Sequence, residues 1–316
     1  MKTLKRTVAL ALGATLALAA CSSDAEETPE EPTGVDEETT EEDPEGDAPE
    51  GDAGSPEGGE VTIGVPAGWD EAVAVSNLWA VHLEEQGYDV TLMDADIGIL
   101  FEALAGGDVD VMLDAWLPIT HAEYWENYSD QIEDLGYWYD DAALTIAVNS
   151  DSPITSLDEL AENADVFNNE IIGIDPGAGL TGITQDEVIP TYGLEDMDFV
   201  ISSTAAMLAT LDGAQTAGED IVVTLWTPHW AYGAYDIRNL EDPEGTLGDA
   251  EYIHNVARLG FTEDFPWLAE RLTDFVMSDE DLSDLENLML NENPDRDYME
   301  SASEWLEQNP DFFETF

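Results

Sequence analysis

The chain has 316 residues, and 73 Asp or Glu against 7 Lys or Arg give it a formal charge of −66. That balance excludes binding to nucleic acid, or to anionic lipid, through a basic patch. The one cysteine, Cys21, excludes an intrachain disulfide.

Residues 1–20 read as an export signal. Lys2, Lys5 and Arg6 precede the apolar run Val8–Ala20, which falls short of the roughly 20 residues a membrane span needs. The ending Leu18-Ala19-Ala20-Cys21 resembles a bacterial lipobox. This implies that Cys21 is lipidated and anchors the exported protein to the outer face of the cytoplasmic membrane. Residues 21–60 are rich in Asp, Glu, Pro, Gly, Ser and Thr and cannot bury enough surface to offset ordering entropy, so they read as a disordered acidic tether.

Past the signal there is no lysine, and the only cations are Arg238, Arg258, Arg271 and Arg296. Molar salt cuts the Debye length to about 3 Å and screens the self-repulsion of such a surface. Adaptation to high salt is therefore expected, with a melting temperature that falls on transfer from molar salt to dilute buffer. An unchanged melting temperature would contradict it.

The folded part, from Val61, alternates strand and helix patterns, the signal for an α/β fold. Strands are predicted at Val61–Val65, Asp89–Met93, Val109–Leu113 and Ala142–Val148, with helices at Glu71–Gln86 and Ile99–Ala105. After Asp151-Ser152-Pro153 the pattern restarts, and Ser156 to Glu159 fits a capping box. Strands follow at Glu170–Ile174, Phe199–Ser202 and Ile221–Leu225, with a helix at Ala205–Leu211. Tyr252–Ala257 is a further strand, ahead of a mainly helical tail. The division predicted is lobe 1 at residues 61–150, lobe 2 at 151–250, and a return to lobe 1 over 251–316, with crossings near Asp151 and Asp249.

Open parallel sheets bind ligands beyond the carboxyl ends of their strands, and three tryptophans fall there. Trp69 follows the first strand, Trp116 follows the third in "VMLDAWLPITH", and Trp226 ends "VVTLW". A single such residue is more often packing, and Trp79, Trp125, Trp138, Trp230, Trp267 and Trp305 are assigned that role. Three at equivalent places point to a box for a cation without N–H donors, a quaternary ammonium. "IIGIDPGAGLTG" adds Gly179 and Leu180 at a helix start, where free amides bind a carboxylate. His121 is a candidate side-chain donor, and His229 a possible further contact.

The rival readings are weaker. Gly177 to Gly182 also match the dinucleotide fingerprint of a nucleotide-dependent oxidoreductase, but no acid stands near Ser202–Thr204 where the ribose partner belongs. The histidines His82, His121, His229 and His254 show no metal-ligand spacing, and no serine has a nucleophile-elbow setting. No catalysis, cofactor or metal is expected.

Together, "GWDEAVA", "LDAWLPITHAEYW", "GIDPGAGLTGIT" and "VVTLWTPHWAY" resemble the substrate-binding proteins of glycine betaine ABC importers, in this order and over nearly all of residues 61–316. The resemblance implies a two-lobed periplasmic-binding-protein fold of type II, with ligand in the cleft between the lobes. It implies an aromatic box of Trp69, Trp116 and Trp226, and carboxylate contacts from the amides of Gly179 and Leu180 and from His121. The implied partners are glycine betaine, or alternatively choline or carnitine, and the permease and ATPase subunits of the importer, with the protein a monomer.

Overall fold

The computed structural model describes Pro56 and residues 58–316; the export signal, Cys21 and most of the tether lie outside them. Strand β1 (Gly59–Pro66) starts just inside the stretch read as tether. Helix α1 (Asp70–Glu85), β2 (Tyr88–Ala95), α2 (Ile97–Gly106), β3 (Val111–Leu117) and α3 (Ala122–Tyr128) follow. β1 lies between β2 and β3, parallel to both.

Every residue of β3 is buried. A strand covered on both faces reads as a continuous apolar run rather than an alternating one, and "VMLDAWL" does, apart from Asp114. The predicted strand Val109–Leu113 stops too early because Asp114 looks like a turn residue. Trp116 consequently lies within β3 instead of following it. Helix α1 is likewise buried almost all round, since it packs on β1, β2 and β3 with one side and on the C-terminal helices with the other.

β4 (Ile132–Asn149) is the element that departs most from the sequence reading. Its first part, through Ala142, pairs antiparallel with β9 (Glu251–Arg258), and three register shifts bend it on the way. From Ala143 onward it pairs with β7 (Val222–Thr227) and β8 (Ile237–Asn239). The pairing thus passes from one stretch of sheet to the other between Ala142 and Ala143, ahead of Asp151. Trp138 lies in this strand, fully buried, and its indole N–H donates to the Leu113 carbonyl at 2.7 Å.

The second stretch adds β5 (Glu170–Ile172) and β6 (Asp198–Val200), parallel to each other, with β5 also parallel to β7. The strand order is β2-β1-β3-β9-β4-β7-β5-β6, with β8 off β4. Between β5 and β6 runs one continuous helical segment. It comprises α4 (Gly179–Ile183), a π-type turn (Thr184–Val188) and α5 (Ile189–Tyr192). Helix α6 (Thr204–Ala217) precedes β7 and α7 (Ala231–Ala234) follows it. Helices α8 (Phe261–Asp264), α9 (Pro266–Asp274), α10 (Asp279–Glu286) and α11 (Tyr298–Gln308) complete the chain. At the predicted capping box, Glu159 reaches back to the N–H groups of Thr155 at 2.7 Å and Ser156 at 3.2 Å. Among the described residues no helix is long and apolar enough to cross a membrane.

Candidate ligand-binding site

Each tryptophan is placed by its local chain. Gly68 takes a left-handed φ of 78°, which turns the backbone sharply after β1 and leaves Trp69 at the N-cap of α1. Trp116 stands two residues after Asp114 on the same face of β3, and its indole N–H donates to Asp114 Oδ1 at 3.0 Å. Trp226 is paired across the ladder with Leu144 of β4. Its N–H crosses to the N-terminus of α1 and donates to Glu71 Oε2 at 2.9 Å. The peptide bonds Leu117–Pro118 and Thr227–Pro228 that follow these two segments are both cis.

Trp69, Trp116, Trp226, Gly179 and Leu180 line one cavity, together with Glu71, Thr120, Leu144, Ile174 and Ala178. It encloses about 280 Å³ of space free of protein atoms, its mouth included. The walls come from both stretches of the sheet: Trp69, Glu71, Trp116 and Thr120 from one, the rest from the other. Trp69, Trp116 and Trp226 retain only 7, 2 and 4% of their exposure, so little of the aromatic wall faces solvent.

Gly179 and Leu180 are the first two positions of their helix, whose N–H groups have no carbonyl one turn earlier to bond. They present the positive end of the helix dipole to the cavity. A side chain at Gly179 is impossible in this arrangement, because a Cβ there would lie 2.2 Å from the Thr120 carbonyl oxygen. Thr120 cannot easily retreat. Its N–H and that of Ile119 donate to Glu251 Oε2 at 3.0 and 2.9 Å, and its hydroxyl bonds Oε1 of the same carboxylate.

The two histidines singled out from sequence stand behind the walls. His121 is fully buried and stacked on the Trp69 ring, with centroids 5.5 Å apart and planes within 9°. Its Nδ1 accepts the Trp116 backbone N–H at 2.9 Å, which fixes the proton on Nε2; that atom is buried and has no partner. Burial lowers its pKa to about 3, so the ring is a neutral donor. His229 packs edge-on against Trp226 at 4.7 Å, and its Nδ1 accepts the Ala231 N–H at 3.0 Å. It too is held neutral by burial, with a pKa of about 3. Neither ring is among the residues that line the cavity.

The acids around the box went unread in so acidic a sequence. Glu71 lines the cavity, Asp114 sits beneath Trp116, and Asp70 accepts the Trp230 N–H. Glu286 of α10 is buried with them. Burial raises the pKa of Asp70 to about 6 and of Asp114 to about 7, and lifts those of Glu71 and Glu286 well above the ordinary carboxylate value. The available signal was an acid two residues from a tryptophan in both "WDE" and "DAW", the second inside an otherwise apolar run.

A two-part sheet with a tryptophan-lined cavity between its two stretches is the architecture of the type II periplasmic binding-protein class. The chain belongs to the family of substrate-binding domains of ABC-type glycine betaine transport systems, whose model matches residues 59–308. Members of this family are the binding components of transporters and not enzymes. The chain is 42% identical over 147 residues to the glycine betaine/carnitine transport binding protein GbuC of Listeria monocytogenes, spanning 46% of this chain and 48% of that protein. Among solved structures it is similar to the glycine betaine/L-proline-binding protein ProX of Borrelia burgdorferi, at 33% identity and a TM-score of 0.76. That match covers 81% of this chain and 96% of the other. Lactococcal OpuAC, closed on glycine betaine, matches at 30% identity and a TM-score of 0.74, covering 81% and 98%.

Proposed function

We propose that this protein captures glycine betaine, or a close relative, and delivers it to an ABC permease and its ATPase. One observation carries the reading: three indoles from both stretches of the sheet and two unbonded helix-start amides line the same cavity. Ring faces attract a methylated ammonium that cannot donate hydrogen bonds, each by about 0.5–2 kcal/mol when desolvated. The amides of Gly179 and Leu180 take the carboxylate through charge-assisted bonds of roughly 1.5–3 kcal/mol each. His121 supplies a further donor through Nε2 if the Trp69 ring shifts, and His229 supports Trp226. The lobes correspond to the two stretches of sheet joined through β4, and closure brings Gly179 against Thr120.

The further reading is of an exported, monomeric lipoprotein tethered through Cys21, serving osmoprotection in a salt-adapted cell. A compatible solute is the natural cargo for a protein with a charge of −66. Choline lacks the carboxylate and would leave both amides unpaired.

Calorimetric titration at molar salt with glycine betaine, proline betaine, carnitine and choline tests the assignment. Micromolar to millimolar affinity is expected for glycine betaine, roughly what these contacts leave after association costs, with choline at least tenfold weaker. Choline binding as tightly as glycine betaine would remove the amide site from the account.

A further inference from the structure

We propose that Glu71 is the buried counter-charge for the ligand's ammonium, and that seating the cation expels a proton from the Glu71–Asp114 carboxylate pair to solvent. The inference rests on reading the cavity as an ammonium site. Its ground is geometric. Glu71 is the one ionisable side chain in the cavity lining, and its Oε2 is already engaged by the Trp226 N–H. Asp114 is fully buried under Trp116 with Oδ1 bonded to the indole, while its Oδ2 has no partner. Both carboxyl oxygens of Glu286 are buried without a hydrogen-bonding side-chain partner as well.

The groups around this cluster supply no positive charge. Asp114 of β3 and Glu286 of α10 act on Glu71, and both oppose its ionisation. Asp70, its neighbour on α1, faces the Trp230 N–H and lies 3.4 Å from His229 Nε2; Tyr298 of α11 also feels it. His121 and His229 are neutral. The four arginines among the described residues are committed elsewhere. Arg238 holds the Ser150 and Ser152 carbonyls, and Arg258 pairs with Asp110 and Asp264. Arg271 holds the C-terminal Phe316, and Arg296 pairs with Glu304. A buried carboxylate with like-charged neighbours and no cation keeps its proton, as burial and the neighbouring acids dictate here. A quaternary ammonium entering the box is the first cation the cluster meets. It favours the ionised form, the O–H bond breaks, and the proton leaves to water.

Linkage gives the sign. If binding releases a proton, the association constant rises with pH, up to about tenfold per unit for one whole proton, and levels off once the ligand-free pair is already ionised. The test is calorimetry of the wild-type chain with glycine betaine at molar salt, at pH 7, in phosphate and in Tris, whose ionisation enthalpies differ. The expected result is an apparent enthalpy that differs between the buffers by the equivalent of about half to one proton released. Affinity should rise between pH 5.5 and 8. Glu71→Gln keeps an acceptor for the Trp226 N–H but has no proton to give, so it should bind with a flat pH profile and buffer-independent heat, several-fold weaker at pH 8. Wild-type binding with equal heats in both buffers overturns the proposal while leaving the ligand assignment intact. Full proton release by Glu71→Gln overturns the role of Glu71. Failure of the wild type to bind any quaternary ammonium removes the underlying site reading.

Discussion

Gly179→Ala is expected to lower glycine betaine affinity by roughly a hundredfold or more. The added methyl would lie 2.2 Å from the Thr120 carbonyl oxygen and 2.7 Å from Thr120 Cγ2. The Thr120 backbone is held by Glu251 and cannot give way by rotamer change. Overpacking of this kind costs about 1–3 kcal/mol. A displaced helix start also misaligns amides whose bonds to a carboxylate are worth roughly 1.5–3 kcal/mol each, and every 1.4 kcal/mol is about tenfold in affinity. Gly177→Ala is the control, because a Cβ there meets nothing within 4 Å. Titration of both variants checks the argument. Equal losses from the two would show that helix flexibility, not closure against Thr120, is what matters.

Trp116→Ala is expected to weaken binding by about 1–2 kcal/mol or more, since it removes one ring face from a desolvated cation. Trp116 is also almost fully buried, so truncation carries a stability cost of about 3–5 kcal/mol. Affinity must therefore be measured at a temperature where the variant is folded. His121→Ala should cost less, because that ring backs Trp69 and contributes one donor at most. The two variants compared by calorimetry decide the ranking. Wild-type affinity in both would mean that neither residue belongs to the site.

The convergence of five residues on one cavity was more legible in the sequence than the fold boundaries. Trp69, Trp116, Trp226, Gly179 and Leu180 share an uncommon setting, bulky or glycine residues at strand ends and a helix start, and such positions converge when the sheet forms. The crossing between sheet stretches was not legible, because β4 runs through both and its first part, "IEDLGYWYDD", is interrupted by register shifts that spoil strict alternation. The acid cluster was hidden for a different reason. With 73 acidic residues in the chain, Glu71, Asp114 and Glu286 are indistinguishable from solvated surface until burial is known. His121 and His229 were found as part of the assembly. Their place behind the walls depends on ring stacking between segments far apart in the chain, which spacing does not encode.

A crystal structure of the protein with glycine betaine at molar salt tests the central claim most directly. The expected result is the trimethylammonium group enclosed by the faces of Trp69, Trp116 and Trp226, with its carboxylate on the amides of Gly179 and Leu180. Ligand bound elsewhere, or seated with its carboxylate toward Glu71 and its methyl groups away from the three rings, would contradict it.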